Sequence, residues 1–378
     1  MPDFKNLYLA AGLTLTFVFQ PIYAHCNDNI TSKVQQIIDL DREKYHIPGI
    51  EVSIICPGES TPRDFVSGYT TLEQSAALKP DNLFQIGSET KSFIAALILL
   101  WEAEGKLSID DSVSEYLSDL PQSWQNITIR QLLNHTSGIY NYTDVLDKKV
   151  RQGDFDFNQQ WTSEELVNLV TEEPLYFEPG AGWHYSNTNY VLAGLIIEQV
   201  SGSELTGQLK ARLIEPLQLQ DTFYLPASYS PQIMERMAHG YSDRGYFPDE
   251  PKDITDFSHS WTNAAGGMVA TSHDTALWIK ALAQGYILPP TQMQELMTTI
   301  NATLPNKLKV QYGLGIIHDD KTFGEEAWWH SGGTLGFSSL MIWLKSSDVI
   351  LTVNISHYAK GEDLYLIAQE LADALHKS

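Results

Sequence analysis

The sequence predicts an α/β (α+β) protein in which a layer of sheet and helices, built from both ends of the chain, is interrupted by a mostly helical domain. Strand-like apolar runs occur near both ends, an amphipathic helical pattern closes the chain, and helical spacing dominates the middle. We therefore expect a sheet subdomain at about 31–88 and 284–378, with a helical subdomain at about 89–283 inserted between its halves.

The N-terminal part of the sheet layer begins with a predicted helix. Apolar residues recur at helical spacing from Val34 to Tyr45, and the Pro48-Gly49 pair ends the run. Two strands are expected after it, at 50–56 and 64–69.

The C-terminal part supplies four more predicted strands and a closing helix. The strands are expected at 312–318, 327–330, 336–344 and 349–355. The apolar residues that share one face of the closing helix are Leu364, Ile367, Leu371 and Leu375. In the middle of the chain, helices are expected at 93–104, 164–170 and 190–200, and a long surface loop at 226–260.

Composition bounds the function. The 378 residues are 43% apolar, which is enough for about two domains' worth of core. The 24 basic and 47 acidic residues give a net charge of -23, which repels a phosphate backbone, so we expect no nucleic-acid partner. We also expect no metal site, because the 11 histidines are scattered and no metal-binding spacing occurs.

Residues 1–24 are typical of a secretory signal peptide. A short stretch with Lys5 precedes an apolar run at 7–19, and Ala24 offers a small residue for cleavage. The apolar run is too short to span about 30 Å of hydrocarbon, so membrane contact is expected to be transient. A retained N-terminal anchor is the alternative. Cleavage leaves a mature chain of 25–378, in which Cys26 and Cys56 either pair or remain two thiols.

The first candidate for chemistry is the S-x-x-K tetrapeptide Ser88 to Lys91, which lies directly before an apolar helix. Positions three apart share a helix face, so Lys91 can direct its amine at the Ser88 hydroxyl. A desolvated lysine can be neutral enough to remove the serine proton and make Ser88 a nucleophile. Taken alone, the motif is also consistent with a serine that only caps a helix.

Two further motifs follow in the chain. Tyr185-Ser186-Asn187 comes before a helix; a tyrosine hydroxyl can relay a proton, and an asparagine amide can donate to a substrate carbonyl. His330-Ser331-Gly332-Gly333 ends a predicted strand, where backbone N–H groups can face a substrate. Singly, Tyr185 is also consistent with a buried aromatic residue and His330 with a hydrogen-bonded histidine at a strand end.

With these three motifs in this order, the sequence resembles the penicillin-recognising serine hydrolases, in the branch of class C β-lactamases, D-alanyl-D-alanine carboxypeptidases and related esterases. The resemblance extends over about 33–375, and the segments 132–138, 266–271 and 312–315 contribute to it. It implies a β-lactamase/transpeptidase-like fold with an antiparallel sheet.

The resemblance also implies a role for each site residue. Ser88 would attack the substrate carbonyl to form an acyl-enzyme, while Lys91 and Tyr185 would share the proton transfers. The N–H groups of Ser88 and Gly333 would form the oxyanion hole. Substrate contacts would come from Asn187, which would hold the acyl side chain, and from His330, Ser331, Gly332 and Gly333. The segment 132–138, with His135, is assigned to packing.

His330 departs from the β-lactamase pattern, which has lysine at this position. Histidine has an ordinary pKa of about 6.5, so its protonation state near neutrality is open. We therefore expect weaker or pH-dependent capture of a substrate carboxylate, with kcat/KM for such a substrate falling as pH rises through the titration of His330. This residue argues against a dedicated β-lactamase.

The expected function is that of an exported serine hydrolase that needs neither a metal nor an organic cofactor, in a bacterial periplasm or secreted. A D-alanyl-D-alanine peptide, as in peptidoglycan, is the first expected substrate, and a β-lactam or a carboxylic ester the second, because the same residues serve all three. A non-catalytic binding or scaffold protein on the same fold is the alternative from another class. The sequence indicates no oligomeric state.

Overall fold

The structure, a computed structural model, describes residues 28–358 and 362–376. In chain order, its α-helices are α1 (Asp28–Lys44), α2 (Thr90–Ala103), α3 (Ile129–Leu133), α4 (Tyr142–Gln152), α5 (Ser163–Asn168), α6 (Asn187–Ser201), α7 (Leu205–Leu209), α8 (Pro231–Arg236), α9 (Asn263–Gly266), α10 (Ser272–Ala283), α11 (Pro290–Met297) and α12 (Glu362–His376). The strands are β1 (Gly49–Ile55), β2 (Arg63–Gly68), β3 (Phe84–Gln85), β4 (Thr222–Tyr224), β5 (Tyr241–Ser242), β6 (Lys252–Asp253), β7 (Met268–Ala270), β8 (Ile300–Thr303), β9 (Lys309–Tyr312), β10 (Ile317–Asp319), β11 (Ala327–Gly333), β12 (Ser338–Leu344), β13 (Val349–Ile355) and β14 (His357–Tyr358).

Both ends of the chain build one eight-stranded antiparallel sheet, as expected. Its strand order is β2-β1-β13-β12-β11-β10-β9-β8, so β1 pairs directly with β13, which lies about 300 residues later in the chain. Helices α1 and α12 pack together on one face, and α10 packs against β1, β12 and β13 on the other. Because both faces are covered, β1 and β13 are buried along their whole length, including the polar residues Glu51 and Ser53 of β1 and Thr352 and Asn354 of β13.

Most predicted elements of the sheet layer are confirmed to within two or three residues. The strands at 50–56, 64–69 and 349–355 correspond to β1, β2 and β13, and the four leucine and isoleucine side chains named for the closing helix are buried in α12. Helix α10 lies within the range expected for the helical subdomain, yet it packs on the sheet, where its Ser272 N–H donates to Glu51 of β1.

The single strand predicted at 312–318 is wrong. The chain turns between β9 and β10, with the Gly313 N–H donating to the carbonyl of Ile316 and Gly315 in the left-handed region at φ 72°. A non-glycine residue would be strained there, so the two glycines end the strand although apolar residues continue on both sides. The loop predicted at 226–260 also contains α8, which Ser230 caps, and the short strands β5 and β6.

The helical part of the protein holds the apolar helix that anchors the site. In α2 the residues from Thr90 to Leu99 are all buried, packed against α6, α9 and α11. The short sheet β3-β7-β4 fixes the chain directly before this helix. Within the described residues, no helix combines the length and apolar character needed to cross a membrane.

The cysteine and signal predictions involve residues outside the described part of the chain. Cys56 follows β1 directly, is buried and is in the disulfide-bonded form. Cys26, the only other cysteine of the sequence, and the predicted signal at 1–24 lie outside the described residues.

Candidate active site

Ser88 lies in the middle of a 3₁₀ turn, Gly87–Glu89, that leads directly into α2. The strand β3 before the turn and the buried helix after it hold the turn at both ends. Ser88 itself is half-buried and faces a cavity of about 510 Å³. The nucleophile predicted from the sequence is therefore accessible, while its backbone is anchored in the core.

Lys91 lies one helical turn after Ser88 and is completely buried. Its Nζ atom is 3.0 Å from Ser88 Oγ, 2.8 Å from Asn187 Oδ1 and 2.6 Å from the carbonyl oxygen of Ala265 in α9. Burial holds the pKa of the Lys91 amine well below its usual value. A neutral amine can donate its two protons to the amide and carbonyl oxygens and accept the Ser88 proton on its lone pair. The geometry suits a general base.

Tyr185 is the second side chain in contact with Ser88. Its hydroxyl is hydrogen-bonded to Ser88, and Lys91 Nζ lies 4.9 Å from the centre of its ring. Desolvation raises the pKa of the Tyr185 hydroxyl above its usual value, and the bond with Ser88 only partly opposes this. Tyr185 is therefore protonated at neutral pH and can pass a proton on rather than act as a phenolate.

The turn with Ser88 lies against the end of β11 in very close contact. A Cβ atom added to Gly87 would lie 2.6 Å from the Gly333 backbone nitrogen, and one added to Gly332 would lie 1.9 Å from the Ile86 carbonyl oxygen. Only glycine permits this approach. This close contact places the backbone around Ser88 next to that around Gly333, as an oxyanion hole requires.

Asn187, the first residue of α6, is occupied by protein partners. Its Oδ1 accepts from Lys91, and its Nδ2 donates to Thr143 Oγ1 at 3.2 Å. In this arrangement the amide orients the amine of Lys91. The predicted contact of Asn187 with the acyl side chain of a substrate stays a prediction.

His330 requires a correction of the expected pH dependence. The ring is 2% exposed, and burial, together with the nearby Lys91, lowers the pKa of His330 from 6.5 to about 3. The histidine is therefore neutral between pH 5 and 8 and supplies no charge to capture a carboxylate. Because His330 does not titrate between pH 5 and 8, the predicted fall of kcat/KM with rising pH cannot come from this residue.

The cavity brings together six of the eight predicted site residues, which are Ser88, Tyr185, His330, Ser331, Gly332 and Gly333. The two others, Lys91 and Asn187, lie behind this wall in contact with each other. Residues for which the sequence predicted no role also line the cavity, among them Leu304, Asn306 and Tyr365. None of the described lining residues has a formally charged side chain.

Three groups of the site were missed at the sequence level. The Ala265 carbonyl that binds Lys91 is a backbone group, which leaves no signal in the residue type. Tyr365 bonds Ser331 Oγ at 2.8 Å from α12, far along the chain. Tyr312, whose hydroxyl lies 3.0 Å from His330 Nε2, begins one of the segments that resemble the family, and that resemblance was the available signal.

The comparison with known families agrees with this geometry. The family model described as Beta-lactamase matches residues 34–375. The chain belongs to the Beta-lactamase family. With the antiparallel sheet, the flanking helices and the serine, lysine and tyrosine at one point, it is a β-lactamase-fold member of a family of serine hydrolases.

Three relatives in the Beta-lactamase family illustrate the likeness. Penicillin-binding protein 4* of Bacillus subtilis is 29% identical over 283 residues, which is 73% of this chain and 61% of that protein. The D-stereospecific amidohydrolase from Streptomyces sp. is 31% identical, with a TM-score of 0.76 over 89% of this chain and 98% of that one. D-amino acid amidase from Ochrobactrum anthropi SV3, complexed with D-phenylalanine, is 27% identical, with a TM-score of 0.82 over 93% and 99%. The chain thus spans about three fifths of its Bacillus relative.

Within 28–358 and 362–376, no three His, Cys, Asp or Glu side chains are grouped so that they could hold a metal ion. The reaction without a metal or organic cofactor stays a prediction.

Proposed function

We propose that the protein hydrolyses the amide bond that follows a D-amino acid residue, through an acyl-enzyme on Ser88. The observation that carries this proposal is the fully buried Lys91 amine, which lies 3.0 Å from the Ser88 hydroxyl and is otherwise bonded to the uncharged oxygens of Asn187 and Ala265. A lysine with only a surface or structural role is not expected to be completely desolvated next to a half-buried serine.

The steps follow from the contacts. Lys91 takes the proton of Ser88 while Oγ forms a bond to the substrate carbonyl carbon, and the oxyanion faces the backbone N–H groups of Ser88 and Gly333. The C–N bond breaks as the leaving nitrogen receives a proton through Tyr185. Water then attacks the ester, giving up its proton to the same base, and the acid leaves as Ser88 recovers its hydrogen.

The D configuration is supported by the relatives. The two structures named above are a D-stereospecific amidohydrolase and a D-amino acid amidase, and both are covered almost completely by this chain. A D-alanyl-D-alanine carboxypeptidase reaction, the first expectation from the sequence, is one member of this substrate class. The Bacillus relative, a penicillin-binding protein, supports acylation by a β-lactam as the second candidate.

Covalent labelling tests the proposal and its main alternative. A fluorescent penicillin and a fluorophosphonate are expected to label the protein at Ser88, and Ser88→Ala to lose the label, while Ser118→Ala, at an exposed serine, keeps it. Hydrolysis is then compared for D- and L-phenylalaninamide, an acyl-D-alanyl-D-alanine peptide, a β-lactam and a carboxylic ester. If the protein takes up no label and turns over no substrate, a binding or scaffold protein is the remaining interpretation. If it turns over only the ester, it is an esterase.

We also propose that the protein is exported, in a periplasm or secreted, with cleavage after Ala24. The support is the charge and hydrophobicity pattern of residues 1–24. The N-terminal sequence of the protein recovered outside the cytoplasm is expected to begin at His25. An uncleaved N-terminus in a membrane fraction would favour the retained anchor.

A further inference from the structure

A chain of buried hydrogen bonds runs behind the cavity from the second motif to the third. The Ser186 N–H donates to His135 Nδ1 at 3.2 Å, and His135 Nε2 lies 3.3 Å from the Tyr312 hydroxyl. That hydroxyl is 3.0 Å from His330 Nε2, and His330 Nδ1 is 2.7 Å from the Ser331 carbonyl oxygen. The three side chains are at most 2% exposed, so water does not substitute for any of these bonds.

The two ends of this chain fix the position of every proton in it. A backbone N–H only donates, so His135 Nδ1 is an acceptor and its Nε2 carries the proton. A backbone carbonyl only accepts, so His330 Nδ1 carries its proton and Nε2 is the acceptor. The Tyr312 hydroxyl therefore accepts from His135 and donates to His330. All donors and acceptors are satisfied in this one arrangement, with both histidines neutral.

An extra proton on His330 would rearrange the chain. Tyr312 would then face two N–H donors and would have to turn its own proton from His330 to the Tyr190 hydroxyl, with which it is also hydrogen-bonded. A positive charge would be left in a buried site whose described lining has no acidic side chain, which is costly. The other titratable groups that face this region are Lys91, His184, Tyr185 and Tyr190. Whenever Lys91 is protonated, it disfavours a charge on His330, and Tyr190, which donates its own proton to the Leu133 carbonyl at 2.7 Å, can only accept from Tyr312.

We infer that this chain holds His330 as a neutral residue with both nitrogens occupied and so makes the third-motif end of the cavity a subsite for an uncharged leaving group. The preferred substrates are then amides whose leaving amine has no carboxylate. His135 and Tyr312 are positioning residues, since they act through His330. The inference rests on the proposed function for the identity of the reaction, whereas the hydrogen-bond chain can be tested without turnover.

A matched pair of substrates tests the subsite. N-acetyl-D-alanyl-D-alaninamide and N-acetyl-D-alanyl-D-alanine differ only in their terminal carboxamide or carboxylate. For the wild-type protein, kcat/KM is expected to be at least tenfold higher for the carboxamide, with a ratio that stays constant from pH 5 to 8. A ratio near one, or a preference for the carboxylate, would overturn the subsite.

The variant Tyr312→Phe keeps the ring and removes the donor to His330. His330 remains buried and neutral, but its Nε2 no longer has a donor, so the ring can also take the Nε2–H form and donate to a carboxylate. The ratio of kcat/KM for the carboxamide to that for the carboxylate is therefore expected to fall at both pH 5 and pH 8. Tyr142→Phe is the matched control: it also removes a buried hydroxyl, which donates to the Trp261 carbonyl at 2.6 Å, but lies outside the chain. Equal behaviour of the two variants would contradict the positioning role of Tyr312.

Nitrogen-15 NMR of labelled histidine measures which nitrogen of His135 and of His330 carries a proton. In the wild type, His330 is expected as the neutral Nδ1–H form and His135 as the neutral Nε2–H form from pH 8 to 5, with His330→Gln and His135→Gln assigning the signals. Titration of His330 near pH 6.5 would overturn the inference whether or not the protein is active. Two neutral histidines in a protein without label or turnover would overturn the proposed function instead.

Discussion

Lys91 Nζ and Ser88 Oγ lie 3.0 Å apart, with the amine completely buried and the hydroxyl at the wall of a cavity. Two oxygen acceptors, from Asn187 and Ala265, occupy the remaining directions around the amine. The pair therefore works only if the amine has a free lone pair at the pH of the reaction, and this requirement can be tested.

Lys91→Arg is expected to abolish acylation at neutral pH. A guanidinium remains protonated at every accessible pH, so it offers no lone pair to the Ser88 proton. Loss of a general base typically lowers the rate by about 10²–10⁴-fold. The rate of labelling by a fluorescent penicillin measures the effect, with Lys33→Arg on the exposed surface of α1 as control. An arginine variant that labels at the normal rate would contradict the role of Lys91 as base.

Tyr185→Phe is expected to slow amides more than activated esters. Tyr185 keeps its proton because burial raises its pKa, and it can pass a proton to a leaving nitrogen, whereas a 4-nitrophenolate leaves without one. We expect kcat/KM for an amide to fall by about 10²–10⁴-fold and that for a 4-nitrophenyl ester to fall much less. Equal losses for the two substrates would place Tyr185 in a purely structural role.

Gly87→Ala is expected to disrupt the oxyanion hole by pushing β11 away from the Ser88 turn. The added methyl group would lie 2.6 Å from the Gly333 nitrogen, and loss of one such donor costs about 10²–10³-fold in kcat. Gly105→Ala is the control, since both glycines have positive φ, 48° and 67°, but nothing lies near the second one. Comparable kcat for the two alanine variants would show that the close contact is unimportant for catalysis.

The contribution of His259 to folding stability is expected to fall as pH decreases below about 6.5. Burial lowers the pKa of His259 to about 4, so below pH 6.5 this histidine binds a proton in the unfolded chain but not in the folded protein. Each such histidine costs about 1.4 kcal/mol of unfolding free energy per pH unit in that range. Urea titrations at pH 7 and 5 should show a smaller loss for His259→Asn than for the wild type or for His46→Asn, at an exposed site. Identical losses would mean that His259 does not titrate in this way.

The sequence predicted the strands β1 and β13 well because the short apolar runs at these positions indicate a strand and no other element. It failed at 312–318, where the residues on both sides of Gly313 are equally apolar and only the backbone turn distinguishes two strands from one. Short strands such as β5 and β6, with two residues each, lack any periodicity that could be recognised.

Ser88 and Lys91 could be paired at the sequence level because they are three residues apart before a helix, whereas the role of Tyr185 followed from the resemblance of the three motifs to a known family. The state of His330 could not, since it depends on burial and on Tyr312, 18 positions earlier in the chain and two strands away in the sheet. A single histidine in a motif does not reveal which of its nitrogens is occupied. His135, assigned to packing, is in fact packed, and its hydrogen bonds became visible only in three dimensions.

The pairing of β1 with β13 also governs how the protein is made. A growing chain on the ribosome contains β1 early, but its partner β13 is synthesised only about 300 residues later. The large sheet is therefore completed only after β13 has been synthesised, and the turn with Ser88 obtains its neighbouring strand β11 shortly before that. Fragments that end before residue 349 are expected to depend on chaperones and to be degraded by proteases.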